Sequence, residues 1–211
     1  MIVQNTPDLE LTDASCQAAT GRTPDAWYAY LDGIDGLKLG RRDSIHAMYG
    51  EAEKALGKGT NDTSWWLTTV YVNYEKRHDI RKKDGLYEGY SICCTKNIAA
   101  PPAKTYAAYI ANFSEIFGDN PKQDVTEGGK ISCQGGCEGT FTRIRPDKDL
   151  RFTWSHPGCT APMVVDVQFQ DAKGKTMMNV MTSRIQTREE ADGLRRAWGE
   201  ALNRLKPLAE A

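Results

Sequence analysis

The chain has 211 residues, which is enough for one large domain or for a small domain followed by a medium one. It carries 27 basic and 28 acidic residues, and this balance argues against a nucleic-acid-binding surface. No stretch approaches the roughly 20 apolar residues that a membrane span requires, and residues 1–19 lack the basic and apolar segments of a signal peptide. We therefore expect a cytoplasmic protein without a membrane span.

The N-terminal part of the chain has the spacing of short amphipathic helices. Residues 1–19 show no sustained periodicity and are expected to be a flexible arm, with a short helix near 13–19. Thr23 followed by Pro24 is typical of a helix start, and a helix cap is expected at Asp62 or Thr63. The sequence predicts a helical domain over residues 20–80, in which tryptophans at 27, 65 and 66 fill a small core.

This region resembles a bacterial helical domain of unknown function. The shared residues are Thr20–Thr23, Trp27, Leu31, Trp65, Trp66, Val70, Val72, Tyr74 and Glu75. Thr68 and Asp79 depart from that pattern, since the family usually has Gln and Gly at these two positions.

A charged linker at 81–86 precedes a region with the period-two alternation of strands. Strands are predicted from Tyr90 and at 130–133, 139–145, 150–155, 163–170 and 175–185. A helix containing Tyr106, Tyr109, Ile110 and Phe113 follows the first strand. Thr187 and Glu190 have the spacing of a capping box, and they begin a long amphipathic helix that runs to Leu208.

The order of these elements predicts an α+β fold. A small helical unit is followed, over 87–208, by a helix-grip domain, in which an antiparallel sheet wraps on a long C-terminal helix. This region resembles the SRPBCC or START-like superfamily, in the branch of the heat-shock-protein ATPase activator homologues. The resemblance rests on the segments 95–101 and 171–176 and on Trp198 in the last helix. Ile116 and Phe117 stand where that branch usually has a tryptophan.

The resemblance implies a cavity between the sheet and the last helix that holds a small apolar ligand. Alternation along the predicted elements directs one set of side chains toward that interior. The candidate lining residues are Ile92, Tyr109, Phe113, Phe141, Phe152, Trp154, Val165, Val167, Met178, Val180, Leu194 and Trp198. A filled core without a void is the alternative interpretation.

Three cysteines and a histidine form a second candidate site, for a metal ion or a disulfide. Cys133 and Cys137 flank a Gly-Gly turn, and His156 and Cys159 lie in a later loop. Together they have the ligand types of a Cys₃His zinc site, although the spacings are not standard. A disulfide between Cys133 and Cys137 is another alternative, but the sequence favours six reduced thiols. No metal and no cofactor are expected.

We expect a binding protein, with the helical domain as an accessory or partner-recruiting unit. One alternative is a protein-interaction module that resembles the heat-shock-protein ATPase activators. Another is an enzyme that acts on a substrate in the cavity, with His156 and Asp149, or Arg143 and Asp166, as candidates. An enzyme is the less favoured of these, because none of the common catalytic motifs occurs in the sequence.

Overall fold

The computed structural model describes residues 1–118 and 120–211, and for Asn61 it describes only its place in a helix. The described chain divides into two compact units. One unit is residues 8–90, which we call the helical unit. The other, the sheet unit, combines residues 1–7 with residues 91–211. The domain boundaries expected from the sequence, with a helical domain at 20–80, a linker at 81–86 and a helix-grip domain at 87–208, stay a prediction.

The helical unit contains five helices within the described residues. They are α1 (Asp13–Thr20), α2 (Pro24–Gly33), α3 (Gly36–Leu39), α4 (Arg41–Leu56) and α5 (Asn61–Arg77). Thr23 caps α2 as predicted, through a hydrogen bond from the backbone N–H of Ala26. The predicted cap of α5 is wrong by two or three residues. Thr60 caps this helix, and Thr63 is its reciprocal partner in a capping box.

The core of the helical unit is built around two buried tryptophans. Trp27 and Trp66 are at most 1% exposed and pack with Leu31, Met48 and Tyr71. Trp65, the third tryptophan expected there, is only partly buried. The short helix expected near 13–19 is present as α1, and its Cys16 is fully buried in the same core. A capping box between Thr12 and Ser15 begins this helix, which is why the segment is helical.

The sheet unit contains one seven-stranded sheet within the described residues. Its strands are β1 (Tyr90–Ile98), β2 (Lys122–Gln123), β3 (Lys130–Ser132), β4 (Glu138–Arg145), β5 (Asp149–Ser155), β6 (Met163–Asp171) and β7 (Thr176–Ile185). The spatial order is β1-β7-β6-β5-β4-β3-β2, and consecutive strands from β2 to β7 pair antiparallel. The six predicted strands are confirmed, and the short β2 was missed.

Three helices complete the sheet unit: α6 (Pro102–Ala111), α7 (Phe113–Phe117) and α8 (Arg188–Glu210). The single helix expected to reach Phe113 is broken at Asn112, whose side chain donates to the carbonyl of Ala108 at 2.8 Å. The start of α6 is held to β7 by Thr176, whose hydroxyl donates to the carbonyl of Ala100 at 2.7 Å. The α+β helix-grip architecture predicted from the sequence is confirmed.

The apolar face of helix α8 is buried in the interior of the sheet unit. Ala191, Leu194, Trp198, Ala201 and Leu205 are all fully buried, as expected for an amphipathic helix whose one face is buried. Leu208, which was expected on the same face, is 42% exposed.

Only half of the predicted capping box forms at the start of α8. The hydroxyl of Thr187 accepts a hydrogen bond from the backbone N–H of Glu190 at 3.2 Å. The Glu190 carboxylate does not return this bond to Thr187. It accepts from the backbone N–H groups of Thr160 at 2.7 Å and Gln186 at 3.2 Å, and so ties the loop before β6 to the helix.

Candidate functional site

The twelve side chains predicted to face the interior of the helix-grip are all buried in the structure. None is more than 3% exposed. They come from five of the seven strands (β1, β4, β5, β6 and β7) and from α6, α7 and α8. The strand pairing sets several of them side by side, since Phe141 pairs with Phe152, and Phe152 pairs with Val165. Their role as the lining of a ligand site stays a prediction.

Aromatic rings occupy the space between the sheet and α8. Trp154 and Trp198 lie with ring centroids 5.9 Å apart, and Phe117 contacts them at 5.7 and 6.0 Å. Phe117 also stacks on Phe113 at 4.5 Å. Phe117 was missed as a lining residue, although its spacing of four residues from Phe113 on a helix places the two rings on one face.

Four buried polar atoms in this interior have no hydrogen-bond partner among the residues that the structure describes. They are the indole nitrogens of Trp154 and Trp198, the hydroxyl of Tyr109 and the hydroxyl of Thr182. Thr182 lies on β7 opposite Val165, so it belongs to the same row across the sheet as Phe152 and Phe141. Thr182 was not among the predicted lining residues, and its inward position and unpartnered hydroxyl make it a further candidate.

These four groups can all donate a hydrogen bond. Burial raises the pKa of Tyr109 well above the usual range of a phenol, so its hydroxyl keeps its proton. An indole N–H is a donor only. A buried donor without a partner costs about 1–3 kcal/mol. Four such donors in one interior are therefore unfavourable as long as no acceptor is bound to them.

The candidate zinc residues are not assembled as a metal site. Cys133 and Cys137 form a disulfide, with Cα atoms 4.9 Å apart, so the expectation of six reduced thiols is wrong for these two. The hairpin allows it because Cys133 and Cys137 face each other across the Gly-Gly turn, where the N–H of Cys133 donates to the carbonyl of Cys137 at 2.9 Å.

His156 and Cys159, the other two candidate zinc ligands, lie in the loop after β5, where the ring of His156 has backbone partners. The ring Nδ1 of His156 accepts from the N–H of Gly158 at 3.0 Å, and Nε2 lies 3.1 Å from the carbonyl of Met1. Burial lowers the pKa of His156 and raises the pKa of the Cys159 thiol to about 12. Within residues 1–118 and 120–211, no group of three or more His, Cys, Asp and Glu side chains is placed to hold a metal ion.

Three of the four residues weighed for catalysis, Arg143, Asp149 and Asp166, belong to an ion-pair network on the outer face of the sheet. Arg143 donates to Asp149 and Asp166, each at 2.8 Å, and Arg151 lies 3.0 Å from Asp166. Burial tends to raise the pKa of Asp149, but hydrogen bonds from Arg145 and Arg143 lower it below its ordinary value. His156 follows the last residue of β5, whereas Asp149 begins that strand, so these two do not form a pair.

Two polar grooves lie on the surface. One, of about 410 Å³, is lined by side chains of β3, β4 and β5 that include Lys130, Glu138 and Thr153. The other, of about 420 Å³, is lined by Lys122, Ser132 and Gln134, among others. Neither groove contains any of the twelve predicted lining residues. Among the helices described, none is long and apolar enough to cross a membrane.

Comparison with known proteins finds one family for the sheet unit. Residues 99–210 match the family described as Activator of Hsp90 ATPase homolog 1-like protein. No curated protein matches the chain.

CalU16 and DynU16 share the fold of the sheet unit. The solution structure of CalU16 from Micromonospora echinospora is 22% identical, covers 58% of this chain and 67% of its own, and gives a TM-score of 0.52. DynU16, a putative protein in the dynemicin biosynthetic locus, is 18% identical over 57% of this chain and 47% of its own, with a TM-score of 0.50. The Aha1 dimer from Colwellia psychrerythraea is 20% identical over 57% of this chain and 96% of its own, with a TM-score of 0.49.

Proposed function

The chain belongs to the family of Activator of Hsp90 ATPase homolog 1-like proteins, and from this premise we propose that its sheet unit binds a small apolar molecule between the sheet and α8. The observation that carries this proposal is the set of four unpartnered donors at Tyr109, Trp154, Thr182 and Trp198. Native proteins leave few buried polar groups without a partner, and each exception calls for a physical reason. A bound molecule that accepts hydrogen bonds supplies that reason.

The lining restricts the chemistry of the ligand. The twelve predicted lining side chains include no charged residue, so an ionic ligand would lose its hydration without gaining an ion pair from them. Aromatic rings such as Phe117 and Trp198 offer flat apolar contact surface. We therefore infer an uncharged ligand with an apolar body and at least one acceptor oxygen, such as a carbonyl.

The rings already contact one another, so the ligand enters by moving them apart. Phe117 is the side chain best placed to move, because it belongs to the five-residue α7 rather than to the sheet. The alternative is a permanently filled core. In that case the indole N–H groups of Trp154 and Trp198 stay buried without a hydrogen-bond acceptor.

The proposal is tested with two probes that differ only in the acceptor, acetylnaphthalene and ethylnaphthalene. Their binding is followed by the NMR signals of the indole N–H groups, assigned through the variants Trp154→Phe and Trp198→Phe. We expect acetylnaphthalene to shift one or both of these signals and to bind more tightly than ethylnaphthalene, by roughly threefold to tenfold. In the variant that lacks the responsible indole this preference disappears.

Thr182→Val is a further variant of nearly equal volume that removes only a hydroxyl donor. Val164→Thr is its control, because Val164 is only partly buried and lies on the alternate face of β6. Equal affinity for the two probes in every variant, or no binding of either probe, contradicts the proposal.

Family membership also favours a second candidate function, a protein-interaction role like that of the Hsp90 ATPase activators after which the family is described. In this case the helical unit, residues 8–90, serves as the accessory or partner-recruiting part. Steady-state ATP hydrolysis by a purified Hsp90-type ATPase, with and without this chain, measures the effect directly. An unchanged hydrolysis rate at saturating concentrations of the chain contradicts this second candidate.

A further inference from the structure

We propose that residues 1–7 form a strap that closes the ligand region of the sheet unit and must leave its position on α8 before a ligand can enter or leave. This inference rests on the proposed function, because it concerns access to that same site. The strap belongs to the same compact unit as the sheet and α8. Its contacts are concentrated on α8 and on the loop between β5 and β6.

Arg196 of α8 holds the middle of the strap. Its guanidinium donates hydrogen bonds to the backbone carbonyls of Gln4 and Thr6, each at 2.8 Å, and lies 3.2 Å from the hydroxyl of Thr6. Because two of these bonds go to backbone carbonyls, Arg196 recognises the main chain of the strap more than particular side chains.

Gly193 of α8 makes room for the strap. A methyl group added at Gly193 would collide with the carbonyl oxygen of Gln4 and lie 3.1 Å from a side-chain carbon of Val3. Glycine inside a helix is destabilising relative to alanine. The close approach of the strap gives a physical reason for a glycine on the buried stretch of this helix. Gly199, six residues further along α8, has nothing within 4 Å of the same position.

The loop between β5 and β6 holds the other side of the strap. The side-chain amide of Asn5 donates to the carbonyl of Gly158, and the ring of His156 lies within hydrogen-bond distance of the carbonyl of Met1, at 3.1 Å. The strap therefore extends from α8 to the end of β5, across the place where the helix faces that end of the sheet.

The proposed ligand region lies directly next to these anchors. The ring of His156 is 5.3 Å from the ring of Trp154, and Trp154 is 5.9 Å from Trp198. Both indoles carry unpartnered N–H groups. The backbone nitrogen of Met1 also donates to the carbonyl of Phe117, whose ring contacts both tryptophans. Release of the strap therefore frees His156 and Phe117, which lie next to the indole N–H groups of Trp154 and Trp198.

The strap is held weakly enough to open. Ile2 is 81% exposed, and the hydrogen bonds of Gln4, Asn5 and Thr6 lie at the surface. Segments with little apolar burial and exposed hydrogen bonds open locally at low free energy. A lid of this kind can exchange between closed and open states while the sheet stays folded.

The test compares Gly193→Ala with Gly199→Ala, two identical changes in the same helix. The first readout is cleavage within residues 1–7 by proteinase K, which needs no ligand and follows the population of the open strap. We expect cleavage of the strap to become about tenfold faster in Gly193→Ala, in line with the loss of one or two hydrogen bonds. In Gly199→Ala it stays at the wild-type rate.

The second readout is the rate of acetylnaphthalene binding and release in stopped-flow measurements. Both rates are expected to rise together in Gly193→Ala, since a lid acts on the path in both directions. Arg196→Gln provides a second opened variant if Gly193→Ala fails to fold. Its control is Arg77→Gln, because Arg77 lies in the helical unit, where it pairs with Asp25.

The outcomes separate the strap from the binding site. Faster strap cleavage with unchanged ligand rates overturns the lid while the binding site stands. Unchanged strap cleavage in both opened variants shows that Gly193 and Arg196 do not hold the strap, and this also overturns the proposal. Binding that is detected only in the opened variants supports it. No binding of acetylnaphthalene to any variant overturns the proposed function and the lid together.

Discussion

The indole nitrogen of Trp27 donates a hydrogen bond to the hydroxyl of Thr20 at 2.8 Å, in the fully buried core of the helical unit. The same hydroxyl donates to the carbonyl of Cys16 at 2.6 Å. Trp27 therefore has a partner, whereas the equally buried Trp154 and Trp198 have none among the described residues. Trp27 therefore completes the packing of its unit, whereas an acceptor for the indoles of the sheet unit is part of the proposed ligand site.

Thr20→Val should destabilise the helical unit. Valine has nearly the shape of threonine but removes the acceptor of the Trp27 indole, which leaves a buried donor unsatisfied at a cost of about 1–3 kcal/mol. Urea unfolding followed by far-ultraviolet circular dichroism measures the change. Thr20→Ser keeps the hydroxyl and should lose less. Equal stability of the valine variant and the wild type would show that this hydrogen bond contributes nothing.

The elements of the fold were largely readable from the sequence, because each has a strong period. Alternation placed β5 and β6 within one residue of their observed ends, and Thr187 marked the start of α8. The two-residue β2 and the four-residue α3 are too short to show a period. The break at Asn112 was missed because both sides of it have helical spacing.

The Asp149 network predicts acid sensitivity. Asp149 accepts hydrogen bonds from Arg143 and Arg145, which outweigh the effect of its burial and lower its pKa. In the unfolded chain its pKa returns to about 3.9, so the unfolded state takes up the proton first. The stabilisation is complete above about pH 5 and is lost as the pH falls through the lower pKa of the folded state.

Asp149→Asn tests this contribution. We expect a loss of about 1–2 kcal/mol in the free energy of unfolding at pH 7, since both arginines are partly exposed and solvent weakens their ion pairs. Below pH 4 the difference between variant and wild type should shrink. Glu53→Gln, at an exposed position on α4, is the control. A difference that stays constant from pH 7 to pH 3 would rule out the titration of Asp149 as its cause.

The disulfide predicts a specific thiol count. Alkylation of the unfolded chain without reductant should add four groups, at Cys16, Cys93, Cys94 and Cys159, and prior reduction should raise the number to six. Intact-mass measurement distinguishes the two counts. Six additions without reductant would mean that Cys133 and Cys137 are thiols in the purified protein.

The folded protein should also show an order of thiol reactivity. Cys93 is exposed, whereas burial raises the pKa of Cys94 to about 11 and that of Cys159 to about 12. Since the thiolate is the reactive form, Cys93 should be alkylated first. Peptide mapping after brief treatment at pH 8 identifies the modified residue, and early labelling of Cys159 would contradict its burial.

Glu190→Ala should destabilise the sheet unit by about 1–3 kcal/mol, because it removes the acceptor of two backbone N–H groups, at Thr160 and Gln186. Glu189→Ala is the matched control, because Glu189 also lies in the first turn of α8 but its side chain is exposed. Thermal unfolding measures both. An equal loss in the two variants would point to the charge at the helix start rather than to the loop contact.

The candidate site was less predictable than the fold. Inward positions such as Phe152 and Val165 follow from alternation alone, and they are buried. The lack of partners at Trp154 and Thr182 depends on what surrounds them in three dimensions, which no local pattern contains. The docking of residues 1–7 onto Gly193 was also out of reach, because an aperiodic segment carries no signal of its destination.

The order of the strands has a consequence for self-association. One border of the sheet is β2, which is only two residues long, and the other is the nine-residue β1. The unpaired N–H and C=O groups of a long edge strand can pair with a strand of another chain, whereas a very short edge strand offers few such groups. Any polymerisation of this fold through backbone pairing should therefore start from the side of β1.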